Sequence, residues 1–162
     1  MNLTLHSHSP ERTLEIGKAL GEALTGDELI FLCGDLGVGK TLLTKGIGEA
    51  LAIDPAEIVS PTFTVMNQLA GRLKGKTIRL FHFDLYRWAE AVGSHVPEID
   101  ECIGEGIIVV EWAQYLAPAY LHLKGAVQVS LTAPDKDENA RLIEIRTDLE
   151  YIHTGLTQKL TP

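Results

Sequence analysis

Apolar positions along the chain follow two rhythms, and the changes between them divide it into elements. Leu14, Ala19, Leu20, Ala23 and Leu24 recur at helical spacing. That stretch is bounded by a start signal at Ser9-Pro10-Glu11 and a stop at Gly26-Asp27. Residues 28–33 form a short apolar run that reads as a buried strand. Leu42, Leu43, Ile47, Ala50 and Leu51 mark a second helix, broken by Asp54-Pro55, with Ile53 covering its end. Residues 64–69 and 77–84 read as two strands, with glycines and lysines between them at 71–76, which predicts a hairpin. Residues 90–106 hold the breakers Gly93 and Pro97, so a loop is expected there, with a turn or two of helix over 98–103. Residues 106–112 are a second buried strand. Residues 125–132 and 141–146 alternate apolar and polar, the pattern of half-buried strands, and the polar stretch 133–140 joins them in a hairpin. The tail after Asp148 has weak helical character and is expected to fray.

The connection between the first strand and the second helix is Gly34-Asp35-Leu36-Gly37-Val38-Gly39-Lys40-Thr41, which fits the phosphate-loop pattern G-x-x-x-x-G-K-[ST] at every fixed position. The chemistry accounts for the spacing. Glycines let the backbone curl so that its N–H groups approach an anion, and the opening of the helix adds the positive end of its dipole. Lys40 reaches β- and γ-phosphates as a point charge, and the Thr41 hydroxyl is placed to hold Mg²⁺. The loop residues Asp35, Leu36, Gly37, Val38, Gly39, Lys40 and Thr41, with Leu42 after them, are therefore the expected nucleotide contacts. A glycine-rich turn that binds nothing is the bland alternative, and a strand before and a helix after weigh against it.

Two strands end on carboxylates. The strand at 77–84 ends on Asp84, where a Walker-B aspartate would emerge beside the phosphate loop to hold Mg²⁺. The strand at 106–112 ends on Glu111 and Trp112. In a parallel sheet, ligand-binding groups gather at the carboxyl ends of strands, which makes Glu111 a base, a water-positioner or a metal partner. Trp112 packs on a nucleotide or lies in the core, the core being the simpler expectation. His82 and Tyr86 are core residues at least as readily as catalytic ones, and Arg87 is a candidate for stabilising phosphate charge. Ser60-Pro61-Thr62-Phe63-Thr64 is a loop entering a strand, either a nucleotide-sensing segment or a capped turn.

Strands alternating with helices early and forming hairpins later predict an α/β fold. It is P-loop NTPase-like: a mixed, mostly parallel sheet flanked by helices, with antiparallel strands at the C-terminal end. A length of 162 residues fits one domain over 1–162, with its core at 9–146 and a tail at 147–162. A net charge of −8 argues against a broad direct grip on nucleic acid, so no direct DNA binding is expected. Two distant cysteines without a C-x-x-C pair suit a reducing compartment. With neither a signal-peptide pattern nor an apolar run of membrane-spanning length, a cytoplasmic protein without membrane attachment is expected.

Four segments together carry a more specific signal: the phosphate loop, Ser60-Pro61-Thr62-Phe63-Thr64, His82-Phe83-Asp84-Leu85-Tyr86-Arg87, and Val110-Glu111-Trp112. In order and spacing they resemble the TsaE family, the P-loop ATPases of bacterial tRNA threonylcarbamoyladenosine (t⁶A) synthesis. The resemblance covers about residues 9–146. It implies Mg²⁺-dependent ATP hydrolysis, slow without partners, in association with TsaB and TsaD. Their complex transfers a threonylcarbamoyl group to adenosine 37 of tRNAs that read codons beginning with A. The tRNA would be met indirectly, through that complex, which agrees with an acidic chain. Carried over by position, Lys40 and Thr41 match the phosphate and Mg²⁺ residues, Thr62 a switch-like segment, and Asp84 the Walker-B-like aspartate. Glu111 matches an acidic residue needed for hydrolysis, counted here with Lys40 and Asp84 as catalytic and with Thr41 and Asp84 as metal-binding; Trp112 matches a nucleotide-site aromatic. The stretch from Trp88 to Gly106 departs from the family pattern, and Ala113-Gln114 stands where Pro is expected. Two other functions use the same loop. One is a small-molecule kinase, for which Arg72, Arg79 and Arg87 are lid candidates; the other is a nucleotide-gated interaction module.

Overall fold

The structure, a computed structural model, describes residues 1–134 and 139–160. Its strands are β1 (Asn2–Ser7), β2 (Leu29–Cys33), β3 (Met66–Leu73), β4 (Lys76–Asp84), β5 (Ile107–Glu111), β6 (Ala126–Thr132) and β7 (Arg141–Thr147). Its helices are α1 (Pro10–Ala23), α2 (Lys40–Ala50), α3 (Pro97–Cys102) and α4 (Glu150–Leu160). All seven strands join one sheet in the order β1-β7-β6-β2-β5-β4-β3. The four central strands β6, β2, β5 and β4 run parallel. The outer strands are antiparallel: β7 and β1 on one side, β3 on the other. This is the α/β arrangement expected of a phosphate-loop protein.

β5 and residues 29–32 of β2 are fully buried and, but for Glu111, apolar, because both faces of the sheet are covered there. On one face Ile30, Leu32, Val109, Val127 and Val129 pack against Ile16 and Leu20 of α1, Leu43 and Ile47 of α2, and Ile152 and Leu156 of α4. On the other, Phe31, Phe83, Ile108 and Val110 pack against Val96, Ile99, Leu116 and Tyr120. The signals at the start of α1 hold in detail: the Ser9 hydroxyl accepts the Arg12 N–H at 3.1 Å, and Pro10 occupies the first position.

α1 and α2 meet through glycines. A β-carbon added to Gly17 would lie 2.2 Å from the Leu43 carbonyl oxygen, and one added to Gly46 would lie 2.2 Å from that of Leu14. The helices therefore touch backbone to backbone. This seats α2, and with it Lys40 and Thr41 at its N-terminus, directly on α1.

The structure departs from the sequence reading at three places. β1 was not anticipated. It is an edge strand that buries only Leu5 and Ser7 and part of Leu3, too sparse an apolar pattern to read in isolation. The tail does not fray as expected. α4 packs on α1 through Ile152 and Leu156, and the Tyr151 hydroxyl donates to Glu28 Oε1 at 2.7 Å. A core drawn at 9–146 thus leaves out two elements that belong to the packed body. The hairpin turn expected at 71–76 shrinks to Lys74 and Gly75, both at positive φ, and β3 runs on to Leu73. Gly71 lies inside that strand because a β-carbon there would stand 2.6 Å from the Leu51 carbonyl oxygen. The joint expected at 133–140 falls partly at 135–138, outside the described residues, although the β6–β7 hairpin forms as predicted. Among the described residues no helix is long and apolar enough to cross a membrane.

Candidate functional site

The glycine loop leaves the carboxyl end of β2 at the centre of the sheet and opens α2. Gly34, at φ 147°, is fixed by its surroundings: a β-carbon there would lie 2.5 Å from the Leu131 carbonyl oxygen on β6. Gly39 is the N-cap of α2 at φ 111° and brings no capping side chain. The first turn of α2 is thus left without the side-chain acceptor that a Ser or Asp would supply, the arrangement suited to an external anion.

Lys40 is folded back on this loop. Its ammonium donates to the carbonyl oxygens of Gly34 at 2.7 Å and Asp35 at 2.8 Å, and lies 3.7 Å from the centre of the Trp112 ring. Burial pushes the Lys40 pKa down, opposed by the carboxylates of Glu111, Asp84 and Asp35. The Thr41 hydroxyl donates to Glu111 Oε2 at 2.9 Å. The other Glu111 oxygen, Oε1, is 2.8 Å from His82 Nε2.

Asp84 and Glu111 end neighbouring parallel strands and pair directly in register, so the sheet itself sets the two carboxylates side by side. Asp84 Oδ1 accepts the Tyr86 N–H at 2.8 Å. Its Oδ2 accepts the Ser60 hydroxyl in a short bond, with the Thr62 hydroxyl 3.5 Å away. The Ser60–Thr64 segment is a turn outside the strands, and these hydroxyls tie it to the carboxylate.

Most of the sequence-derived candidates converge. Leu36, Gly37, Gly39, Lys40, Thr41, Leu42, Thr62, Asp84, Glu111 and Trp112 all line one cavity of about 510 Å³, together with Ser60 and Tyr86. Asp35 is absent from that lining and takes part through its carbonyl, which receives Lys40. Val38 turns its side chain into the core and is only 4% exposed. Trp112 answers both alternatives. It is largely buried, with its ring stacked on Tyr115 and tilted against Tyr86, and it also walls the cavity. His82 is fully buried and touches the site only through Glu111. Arg87 is exposed and lines a separate hollow with Trp88 and Ala91, so the structure does not bring it to the cavity.

Sequence reasoning missed a second hollow on the other flank of the loop, about 270 Å³, lined by Pro10, Thr13, Gly37, Val38, Gly39, Leu42, Asn139 and Arg141. Arg141 Nε donates to the Val38 carbonyl at 2.8 Å, bracing the loop from β7. It also missed Gln114, whose side-chain amide donates to the Gly34 carbonyl at 3.3 Å. No motif flags contacts made from so far along the chain.

The donors in the main cavity include the Thr41, Ser60 and Thr62 hydroxyls and two carboxylates, all hard oxygen ligands, which fits Mg²⁺. Among the described residues no group of three or more His, Cys, Asp and Glu side chains is set to enclose a metal. The set therefore suits a cation that keeps phosphate or water ligands of its own.

Residues 7–143 match the family model described as threonylcarbamoyl adenosine biosynthesis protein TsaE. The chain belongs to the TsaE family. Similar proteins include the tRNA threonylcarbamoyladenosine biosynthesis protein TsaE of Aquifex aeolicus (strain VF5), 37% identical over 140 residues, which are 85% of this chain and 90% of that protein. The protein of the same name from Nostoc sp. (strain PCC 7120) is 37% identical over 139 residues, 83% of this chain and 80% of its own length. Among solved structures, the crystal structure of Bacillus subtilis YdiB superposes with a TM-score of 0.67 at 26% identity, covering 99% of this chain and 95% of that one. Family membership places this TsaE-family chain in t⁶A biosynthesis, and the fold likeness extends over its whole length.

Proposed function

We propose that the protein binds ATP with Mg²⁺ at the glycine loop and hydrolyses it in support of adenosine-37 threonylcarbamoylation by a TsaB–TsaD complex. The observation that carries this reading is the convergence of Lys40, Thr41, Asp84 and Glu111 on one cavity at the opening of α2. Lys40 exchanges the Gly34 and Asp35 carbonyls for β- and γ-phosphate oxygens, and its ammonium offsets charge there. Thr41 and Asp84 would hold Mg²⁺, which would supply positive charge to offset that of the phosphates. Glu111 orients the water that attacks the γ-phosphorus in line, giving ADP and phosphate. The flanking hollow by Pro10 and Arg141 is the natural place for the nucleoside end. Among the described residues the cavity is lined by no arginine, and slow hydrolysis by the isolated chain is the expected outcome.

A nucleotide-gated interaction role is favoured by a separate observation. Phe63 is 88% exposed, at the tip of the segment whose hydroxyls bind Asp84, and Leu36 on the loop is 78% exposed. Apolar side chains so placed suit contact with a partner at the mouth of the site.

The test is phosphate release from Mg²⁺-ATP by the purified chain, alone and with TsaB, TsaD and tRNA. Stimulation by the partners, lost in Lys40→Ala and Asp84→Ala, is the expected result. Nucleotide binding that the partners leave unaffected would remove the pathway partnership and keep the loop chemistry.

A further inference from the structure

His82 is the one buried side chain, among the described residues, with a polar atom lacking any partner: its Nδ1. The residue is fully buried on β4, between the core position Leu80 and the site residue Asp84, and it pairs in register with Val109 of β5. Leaving a buried nitrogen unsatisfied destabilises the fold. A side chain retained for packing in such a place would be apolar. What His82 does make is the 2.8 Å contact from Nε2 to Glu111 Oε1. The acceptor is a carboxylate, so Nε2 is the donor of that contact, and Nδ1 is left without a partner.

We infer that His82 is the positioning residue of the site, holding one oxygen of Glu111 so that only the other faces the reacting groups. Glu111 Oε1 is committed to the buried ring, while Oε2, bonded to Thr41 at 2.9 Å, is the oxygen at the cavity. A glutamate ending a strand has rotatable bonds that would let its carboxylate turn. The contacts on both oxygens fix it, and of the two only the histidine contact lies away from the phosphate loop. When Thr41 turns to another ligand, the histidine still holds the carboxylate in plane. This inference rests on the hydrolytic reading for its kinetic consequence but not for its structural one.

Two substitutions and one spectrum test it. His82→Leu removes the donor, and His82→Gln offers an amide N–H in its place. In the reconstituted system, His82→Leu is expected to lower kcat by about 10–100-fold, the usual effect of losing an outer partner of a site residue. The Kd for Mg²⁺-ATP should stay within about threefold, and His82→Gln should recover most of the lost turnover. Turnover unchanged in a folded His82→Leu, or kcat and affinity falling together, or no recovery in His82→Gln, would overturn the inference. The nucleotide-free chain gives an independent readout by long-range ¹H–¹⁵N correlation of the imidazole. The expected spectrum shows a ring protonated at Nε2 whose resonances move in Glu111→Ala. A ring insensitive to Glu111→Ala would overturn the inference even if His82→Leu failed to fold. If the wild-type chain with its partners turned over no ATP, the hydrolytic reading alone would fail, and the spectrum would still decide the role of His82.

Discussion

Gly46→Ala is the sharpest test of how α2 is seated. On an exposed helix, replacing glycine by alanine stabilises by about 1 kcal/mol, through backbone entropy. Here the new β-carbon would stand 2.2 Å from the Leu14 carbonyl oxygen and 2.8 Å from the Lys18 nitrogen. Both are backbone atoms, so no side-chain rotation relieves the clash. Ordinary contact begins at 3.4 Å, so α1 and α2 must part by about 1.2 Å. Parting them loosens Ile16, Leu20, Leu43 and Ile47, all at 0% exposure in the shared core. Overpacking of this kind costs about 1–3 kcal/mol, and the rigid contacts place it at the upper end. Less the helical gain, the net loss is about 1–2 kcal/mol, or a fall in Tm of about 2–8 °C for a chain of this size.

Gly48→Ala on the same helix is the control. Its β-carbon would meet Ile58 Cδ1 at 2.0 Å, the far end of a side chain that can turn away. Urea unfolding at constant m-value, with thermal melts, compares the two. The reasoning is refuted if Gly46→Ala is as stable as wild type, or if Gly48→Ala is the more damaging change. Because α2 begins at Lys40, Gly46→Ala should also weaken nucleotide binding while leaving every candidate contact residue in place.

Two further outcomes follow from ionisation. The Lys40 pKa is lowered by burial, and phosphate arriving beside it would favour the charged form. Nucleotide binding should therefore take up a proton at alkaline pH below the ordinary lysine value of about 10.4, and affinity should fall as pH rises through the lowered pKa. Calorimetry in two buffers of unlike ionisation enthalpy measures the uptake, and identical heats in both would contradict it. Glu28 is the second case. Burial alone would raise its pKa, but hydrogen bonds from the Thr25 hydroxyl, the Gly26 N–H, Tyr151 and the Thr25 N–H outweigh that and lower it. A depressed carboxylate stabilises the fold above its unfolded value of about 4.3, and that stabilisation is lost as pH falls through the folded value. Tyr151→Phe should start this acid loss at higher pH, seen as earlier amide exchange in α4; an unchanged acid limb would contradict it.

What the sequence disclosed depended on whether the cause was local. The glycine loop was legible because phosphate-loop geometry is written in eight consecutive residues. The strand ending on Glu111 was legible because full burial makes it apolar up to that carboxylate, and the one ending on Asp84 because its buried half carries Leu80, Phe81 and Phe83. Their side-by-side placement was not written in either strand, since it comes from the register of β4 on β5. β1 was missed, and α4 was read only as weak helical character in a fraying tail, because each contributes a few apolar side chains to a surface made elsewhere. Trp112 sat between two expectations because its ring serves the core and the cavity at once. His82 was ambiguous for a related reason: burial and a site contact coexist in one ring. Arg141 carried no signal, since its partner Val38 lies 103 positions earlier.

β2 lies in the middle of the sheet, yet both its neighbours, β5 and β6, come later in the chain. This has a consequence for synthesis on the ribosome. A nascent chain that has emerged through Thr41 contains the whole phosphate-loop motif but none of the walls that shape it. The carbonyl that confines Gly34 belongs to Leu131, and the guanidinium that braces Val38 belongs to Arg141. Contacts this distant form late, because loop closure must come first. The loop takes its working shape only when translation is almost complete, so truncated copies carry the motif without the grip. Prematurely terminated chains are therefore expected to lack the walls that Leu131 and Arg141 give the loop.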